Sequence, residues 1–447
     1  MICYTLRCVI TAALSCVSIA IGVPDTETTG TSLTHMGRPY PNVILITISS
    51  LRADHVGCLG YERDTTPHLD AFAKENLLFS NAYAVSSWMM PAHGTVFTGL
   101  YPSGHGATHV DKDLSVHPQT LAEILKDYGY YCAAFCCNPR LDTEHGFGQG
   151  FDFYDDFSVR LILESLELSG KEVNIDQSRT NPLVNDAAVR WLQCNRHRPF
   201  FLFLHYYDTH WDYVPAKPYG TEYDADYKGP IDGTNIAREP LFSNPPAEED
   251  IRHIVALYDG EVRQTDDDLG EMLSFLDDCG LMEDSLVVVM GDHGEQFYEH
   301  GHTSHHGIFD ELLHVPVMVS APKLSQKCGR IESLISQIDV MPTILEYLAI
   351  PIPTQCEGRS LVPLLMGNSQ AVNEYVFAEY TGGAAPNAYI IRSLQHKCVV
   401  AEGVTFAYDL TKDLGEQRKL SRSAFTDQML SLSDRLDAWL KQHVKPQ

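Results

Sequence analysis

The chain has 447 residues with 59 acidic against 32 basic side chains, a formal net charge of -27. Such a surface repels phosphate backbones and argues against nucleic acid as a partner. With 44% apolar and 20% charged residues the composition excludes a fibrous or disordered chain and leaves room for a large core plus a smaller subdomain.

In chain order, Arg7 precedes an apolar stretch from Cys8 to Val23 that ends among small residues, the layout of a secretory signal peptide over 1–23. A polar linker over 24–40 follows. The mature chain is expected to be exported, periplasmic or extracellular, with no transmembrane segment. Cys16 after Leu14-Ser15 leaves a lipid anchor as an alternative. Of twelve cysteines three fall in the leader, and the other nine form no CxxC pair and read mostly as buried thiols.

Asn42 to Ile48 is an uninterrupted, β-branched apolar run and reads as a strand buried on both faces. Similar runs recur at Tyr131 to Cys137, Phe200 to Tyr207, Ser285 to Met290 and Val315 to Ser320. Helix signals lie between them. Thr66 with Pro67 starts one helix, Leu121, Ile124 and Leu125 give helical spacing that stops at Gly129, and Glu248 to Leu276 reads as a long amphipathic helix. Strands alternating with helices predict an α/β fold with a mostly parallel sheet between helices. The Pro/Gly-rich segment 351–373 marks a transition from a large domain over 41–350 to a small C-terminal α+β subdomain over 374–447. In that subdomain the strands are expected at Glu374 to Tyr380, Ala388 to Arg392 and Cys398 to Val404, and a helix at Asp427 to His443. The polar segment 219–247 reads as a surface insertion.

In parallel α/β sheets ligands collect beyond the carboxyl ends of the strands. The run 285–290 leads into Asp292-His293-Gly294-Glu295, a carboxylate and an imidazole able to reach one divalent cation. The run 200–207 leads into Asp208-Thr209-His210, and His300, His302, His305 and His306 follow in a loop rich in small residues. Clustering of this kind points to a polar cleft rather than to scattered surface histidines.

In their order the motifs resemble the sulfatase family of the alkaline phosphatase superfamily. They are Asn42 to Tyr61, Thr65-Thr66-Pro67 with Leu69-Asp70, Pro91 to His105, Thr120 to Tyr130, His205 to His210, Asp292 to Glu295, His306-Gly307 with Asp310-Glu311, Asp339 with Pro342-Thr343, and Tyr408-Asp409-Leu410. The resemblance implies an alkaline-phosphatase-like fold and hydrolysis of a sulfuric or phosphoric ester by a side-chain nucleophile beside one divalent metal, with calcium, manganese, zinc and iron all open. It implies a sulfated or phosphorylated small molecule or glycan as partner. By position Asp292 and His293 correspond to metal ligands, His210 and His306 to groups that hold the anion or protonate the leaving group, and His93 to a group that supports the nucleophile.

Two positions depart from that pattern. Ser49 stands where the family has a metal-binding Asp, and a neutral hydroxyl is a far poorer ligand than a carboxylate. Met89 stands where the family has the nucleophile, and a thioether can neither lose a proton nor be converted to formylglycine. Asp54 could swing in to replace the missing carboxylate, although the family resemblance implies an Asp at that position that is not a principal ligand. The residues therefore leave open an ester hydrolase, a pseudo-sulfatase that binds a sulfated or phosphorylated ligand, and a structural protein with a vestigial cleft.

Overall fold

A computed structural model describes residues 34–35, 38–39, 41–109, 112–138, 140–157, 161, 179–234, 236, 246–321, 328–382 and 386–444. The signal peptide over 1–23, most of the linker over 24–40, and residues 235 and 237–245 of the expected insertion lie outside the described residues.

The central sheet consists of β1 (Asn42–Ile48), β2 (Leu77–Tyr83), β3 (Tyr131–Phe135), β4 (Phe153–Asp155), β5 (Phe200–Tyr206), β6 (Ser285–Gly291), β7 (Val317–Ser320) and β8 (Gly329–Ser336). Their spatial order is β8-β2-β7-β6-β1-β5-β3-β4. Only β7 runs antiparallel, against β2 and β6; the remaining pairings are parallel.

Alternate side chains of the buried strands feed two cores. Val43, Leu45, Phe201 and Phe203 face one side, where they meet α2 (Met89–Thr98), α3 (Leu121–Asp127) and α6 (Val340–Tyr347). Ile44, Ile46, Leu202 and Leu204 face the other, against α1 (Pro67–Glu75), α4 (Asn181–Asn195) and α5 (Glu248–Asp278). Each such side chain contributes about 1.5–3 kcal/mol on burial, which is why a strand covered on both faces carries an unbroken apolar run rather than an alternating one.

The C-terminal region forms a separate antiparallel sheet of β9 (Val376–Tyr380), β10 (Ala388–Arg392), β11 (His396–Ala401), β12 (Val404–Asp409) and β13 (Leu420–Ser421), in sequence order. The β11–β12 hairpin turns through Glu402 and Gly403, both at positive φ (50° and 74°), the backbone that a two-residue hairpin of matching twist requires. The final helix α7 (Asp427–His443) lays Met429, Leu432, Leu436 and Trp439 on this sheet against Ile391, Cys398 and Ala407.

Several expectations needed adjustment. β2, β4, β8, β12 and β13 were not foreseen, and the strand expected at Cys398 to Val404 instead ends at Ala401, ahead of the turn at Glu402 and Gly403. β2 carries Ser80 and Asn81 within its run, and the first half of β8 alternates exposed and half-buried residues ahead of a register shift between Ile331 and Leu334. Thr66 does not cap α1 through its hydroxyl. The free amides of His68 and Leu69 are instead met by Asp266 of α5, at 2.7 and 2.8 Å. Of the nine cysteines only Cys132, Cys136, Cys137 and Cys398 are buried; Cys194 and Cys328 are exposed and the rest half-buried. No helix of the described residues is long and apolar enough to cross a membrane.

Candidate functional site

β1, β5 and β6 lie side by side and end at one rim of the sheet. Ser49 leaves β1 with its amide on Tyr206 O at 2.8 Å and its carbonyl accepting from the Thr209 hydroxyl. Asp292 leaves β6 with its amide on Ile48 O at 3.1 Å. These backbone ties place a hydroxyl and a carboxyl on adjacent strand ends. Gly294 follows because the backbone of Glu311 comes so near that a β-carbon there would sit 1.9 Å from Glu311 O.

Asp292 is almost wholly buried. Its Oδ1 accepts from the amides of Ser50 (2.9 Å) and His293 (2.6 Å), while Oδ2 has no hydrogen-bond partner among the described residues. His293 places Nδ1 2.8 Å from Gly294 O. A carbonyl only accepts, so Nδ1 carries a proton, while Nε2 has no hydrogen-bond partner among the described residues. His293 Nε2 lies 3.8 Å from Asp292 Oδ1.

A second chain of contacts starts at Met89, the first residue of α2, half-buried against the core. The Met89 carbonyl accepts from His93 Nδ1 at 2.9 Å, and His93 Nε2 lies 2.9 Å from Thr47 Oγ1. Thr47 Oγ1 in turn lies 2.8 Å from His205 Nδ1. Burial holds His93 below the usual imidazole range, hence neutral, despite the opposing charge of Asp292. Its Nε2 therefore accepts the single Thr47 proton, Thr47 accepts from His205 Nδ1–H, and His205 Nε2 is left bare and buried without a partner. Ligand atoms of His93, His205 and Asp292 lie within 4.8 Å of one another.

His305 is the hub of the remaining histidines. Its ring lies flat on Trp211 (4.4 Å, 3°), 4.7 Å from His293, 5.4 Å from His210, 5.9 Å from His306 and 4.8 Å edge-on to Trp88. His210 Nδ1 is held by Trp211 O at 2.8 Å and burial pushes its pKa down to about 4. His306 is half-buried, with Nδ1 3.2 Å from the Tyr380 hydroxyl of β9, and burial lowers its pKa as well. Glu295 lies beneath His305 at 3.4 Å, its carboxyl pushed up to about 8 by burial.

The structure thus brings Ser49, His93, His210, Asp292, His293 and His306 to one rim. It adds Thr47, His205, Trp88 and Trp211, which residue type alone did not single out as site groups, and it sets His305 of the expected histidine loop at the centre of the cleft. Thr47 and His205 did leave a trace, since each is a polar residue one place from the end of a largely apolar strand. His300 does not belong to the cleft, being stacked on Phe309 and paired with Glu311 at 3.1 Å, and His302 is exposed. Asp54 is no substitute for Ser49, because both its oxygens are held by Arg52, at 2.9 and 2.7 Å.

Residues 41–350 match the family model described as Sulfatase, and residues 298–443 match one described as N-sulphoglucosamine sulphohydrolase, C-terminal. The chain belongs to the sulfatase family. A curated relative, the multifunctional alkaline phosphatase superfamily protein PehA of Trinickia caryophylli, is 28% identical over 394 residues, covering 72% of this chain and 77% of its own. The N-sulphoglucosamine sulphohydrolase of Homo sapiens is 25% identical over 383 residues, covering 80% and 72%. The crystal structure of the phosphonate monoester hydrolase of Agrobacterium radiobacter superposes with a TM-score of 0.76 at 22% identity, over 90% of this chain and 96% of that one. That likeness shows a common fold. Sulfatases of this family generally bind a divalent metal, and the bare atoms of Asp292 and His293 suit one.

Proposed function

We propose that this sulfatase-family chain binds a sulfate or phosphate ester, carried on a small molecule or a glycan, in a cleft built around one divalent cation, and that it does not form the covalent intermediate of its relatives. The observation that carries this reading is Met89. It occupies the first turn of α2 beside the His93 that its carbonyl orients, and its side chain offers neither hydroxyl nor thiol.

The unpartnered Asp292 Oδ2 and His293 Nε2 fit a cation, and a bound cation supplies positive charge for the ester oxygens. In this reading His210 and His306, each beside His305, hold the anion, and Trp211 and Trp88 wall the cleft and exclude water. Both histidines are neutral at neutral pH, so they act as hydrogen-bonding groups rather than as counter-charges. The layout of 1–23 supports export, which suits a sulfated extracellular ligand.

A second reading is hydrolysis by water in place of a side-chain nucleophile. His210 favours it, since the Trp211 carbonyl fixes the proton on Nδ1 and leaves Nε2 to accept one.

The test is calorimetric titration of the purified chain with 4-nitrophenyl sulfate and 4-nitrophenyl phosphate in the presence of a divalent ion, with nitrophenol release followed in parallel. Saturable binding without release, weakened at least ~10-fold by His210→Gln, is expected. Release that needs the ion and disappears in Asp292→Ala would replace this reading with the hydrolytic one.

A further inference from the structure

We propose that His205 is a metal ligand, so that the cation site is a nitrogen-rich set of His205, His293 and Asp292 that takes a borderline transition ion of the zinc class and discriminates against calcium. The inference rests on the cation-assisted reading of the cleft and names the chemistry of its ion.

Three atoms carry it. His205 Nε2, His293 Nε2 and Asp292 Oδ2 are buried, and none has a hydrogen-bond partner among the described residues. Leaving a buried polar atom without a partner is costly, and three of them gather at the ends of β5 and β6, the two strands that flank β1. Ligand atoms of His205 and Asp292 lie, with one of His93, within 4.8 Å of one another, and His293 joins this group through Asp292, its Nε2 3.8 Å from Oδ1.

The tautomers agree with this assignment. Gly294 O holds the proton of His293 on Nδ1, and the relay from Met89 O through His93 and Thr47 holds that of His205 on Nδ1. Both Nε2 lone pairs are thereby set toward a ligand role, the arrangement in which outer hydrogen bonds orient metal-binding imidazoles.

The donor count then selects the ion. Ser49 contributes a neutral hydroxyl, and Asp54 is committed to Arg52, which leaves Asp292 as the carboxylate of the set. Calcium takes six to eight oxygen ligands, whereas two imidazoles and one carboxylate suit zinc and its neighbours. His93 and Thr47 are positioning residues in this scheme and act through His205.

The experiment is equilibrium dialysis of the full chain against zinc or calcium, together with the visible absorption of the cobalt-substituted protein. One zinc per chain is expected, bound more tightly than calcium, with His205→Asn lowering zinc affinity by more than ~100-fold and altering the cobalt spectrum. Thr47→Val retains the imidazole and removes its orienting hydroxyl, and should cost about 10–100-fold; it decides the matter should His205→Asn fail to fold. Zinc bound equally well by both variants, or a preference for calcium, overturns the proposal. If zinc binding depends on His205 yet neither nitrophenyl ester binds, the ligand assignment stands and the ester-binding reading fails. If the esters bind while His205→Asn leaves zinc affinity unchanged, the reverse holds.

Discussion

Thr47 and His205 face each other across the parallel pairing of β1 and β5, and their side chains meet at 2.8 Å. Each stands one residue before the end of its strand, so the register of the sheet, rather than any loop, delivers the imidazole to the rim. A site supported on strands is held more firmly than one built on loops alone.

The two departures should be reversible together. Ser49→Asp puts a second carboxylate beside Asp292, and Met89→Thr puts a hydroxyl at the first turn of α2. The double variant should gain turnover of 4-nitrophenyl sulfate or phosphate above the parent chain and the single variants, measured by nitrophenol release. Absence of any gain would mean that His210 and His306 no longer sit at reacting distance from a bound ester.

Phe203 of β5 backs the cleft from the core, with its ring 5.8 Å from His93 and 5.0 Å from Phe97. Phe203→Ala should destabilise the fold by about 3–5 kcal/mol through the cavity it leaves. Phe203→Leu should cost under ~1.5 kcal/mol because it keeps most of the volume. Urea titrations of both variants check this, and equal losses would contradict it.

The loop bearing His305 and His306 is anchored to the C-terminal sheet by buried charges. Lys397 of β11, wholly buried, lies 2.9 Å from Asp310 and 2.8 Å from Glu416, and Arg392 of β10 reaches Asp310 at 2.8 Å. Removing one partner from such a cluster strands the others, so Lys397→Met should cost about 3–5 kcal/mol in chemical denaturation. Adding Glu416→Gln should recover part of that loss by deleting a stranded carboxylate.

Asp266 should make stability depend on pH. Burial pushes its carboxyl up to about 7, against the pull of the amides of His68 and Leu69. Unfolded, an aspartate titrates near 4, so between about pH 4 and pH 7 the folded chain holds the extra proton. The contribution to stability is therefore full below that window and is lost as pH rises through it, at no more than about 1.4 kcal/mol per unit. Asp208 and Asp268, raised to about 6 and about 7 by burial, add in the same sense. Asp266→Asn removes the titrating group and keeps an acceptor oxygen for one of the two amides. Its urea midpoints between pH 4.5 and 7.5 should slope less than those of the parent chain, and parallel slopes would exclude the effect.

What sequence alone determined here was local. Contiguous apolar runs marked β1, β3, β5, β6 and β7, because strands covered on both faces need no polar alternation, and Asp292 and His293 were legible because they are neighbours at a strand end. Ser49 and Met89 stood out because each breaks a motif whose surroundings are intact. The tertiary structure decided which histidines belong together. His205 meets Thr47 across 158 positions and His93 meets Thr47 across 46, separations that only sheet register and helix packing can close. It also decided that His305 rather than His300 or His302 lies at the centre, and that Asp266 rather than Thr66 caps α1. Hydrogen-bond partners are set by three-dimensional proximity, and a side chain's neighbours in sequence do not encode which distant carbonyl or hydroxyl will hold its proton.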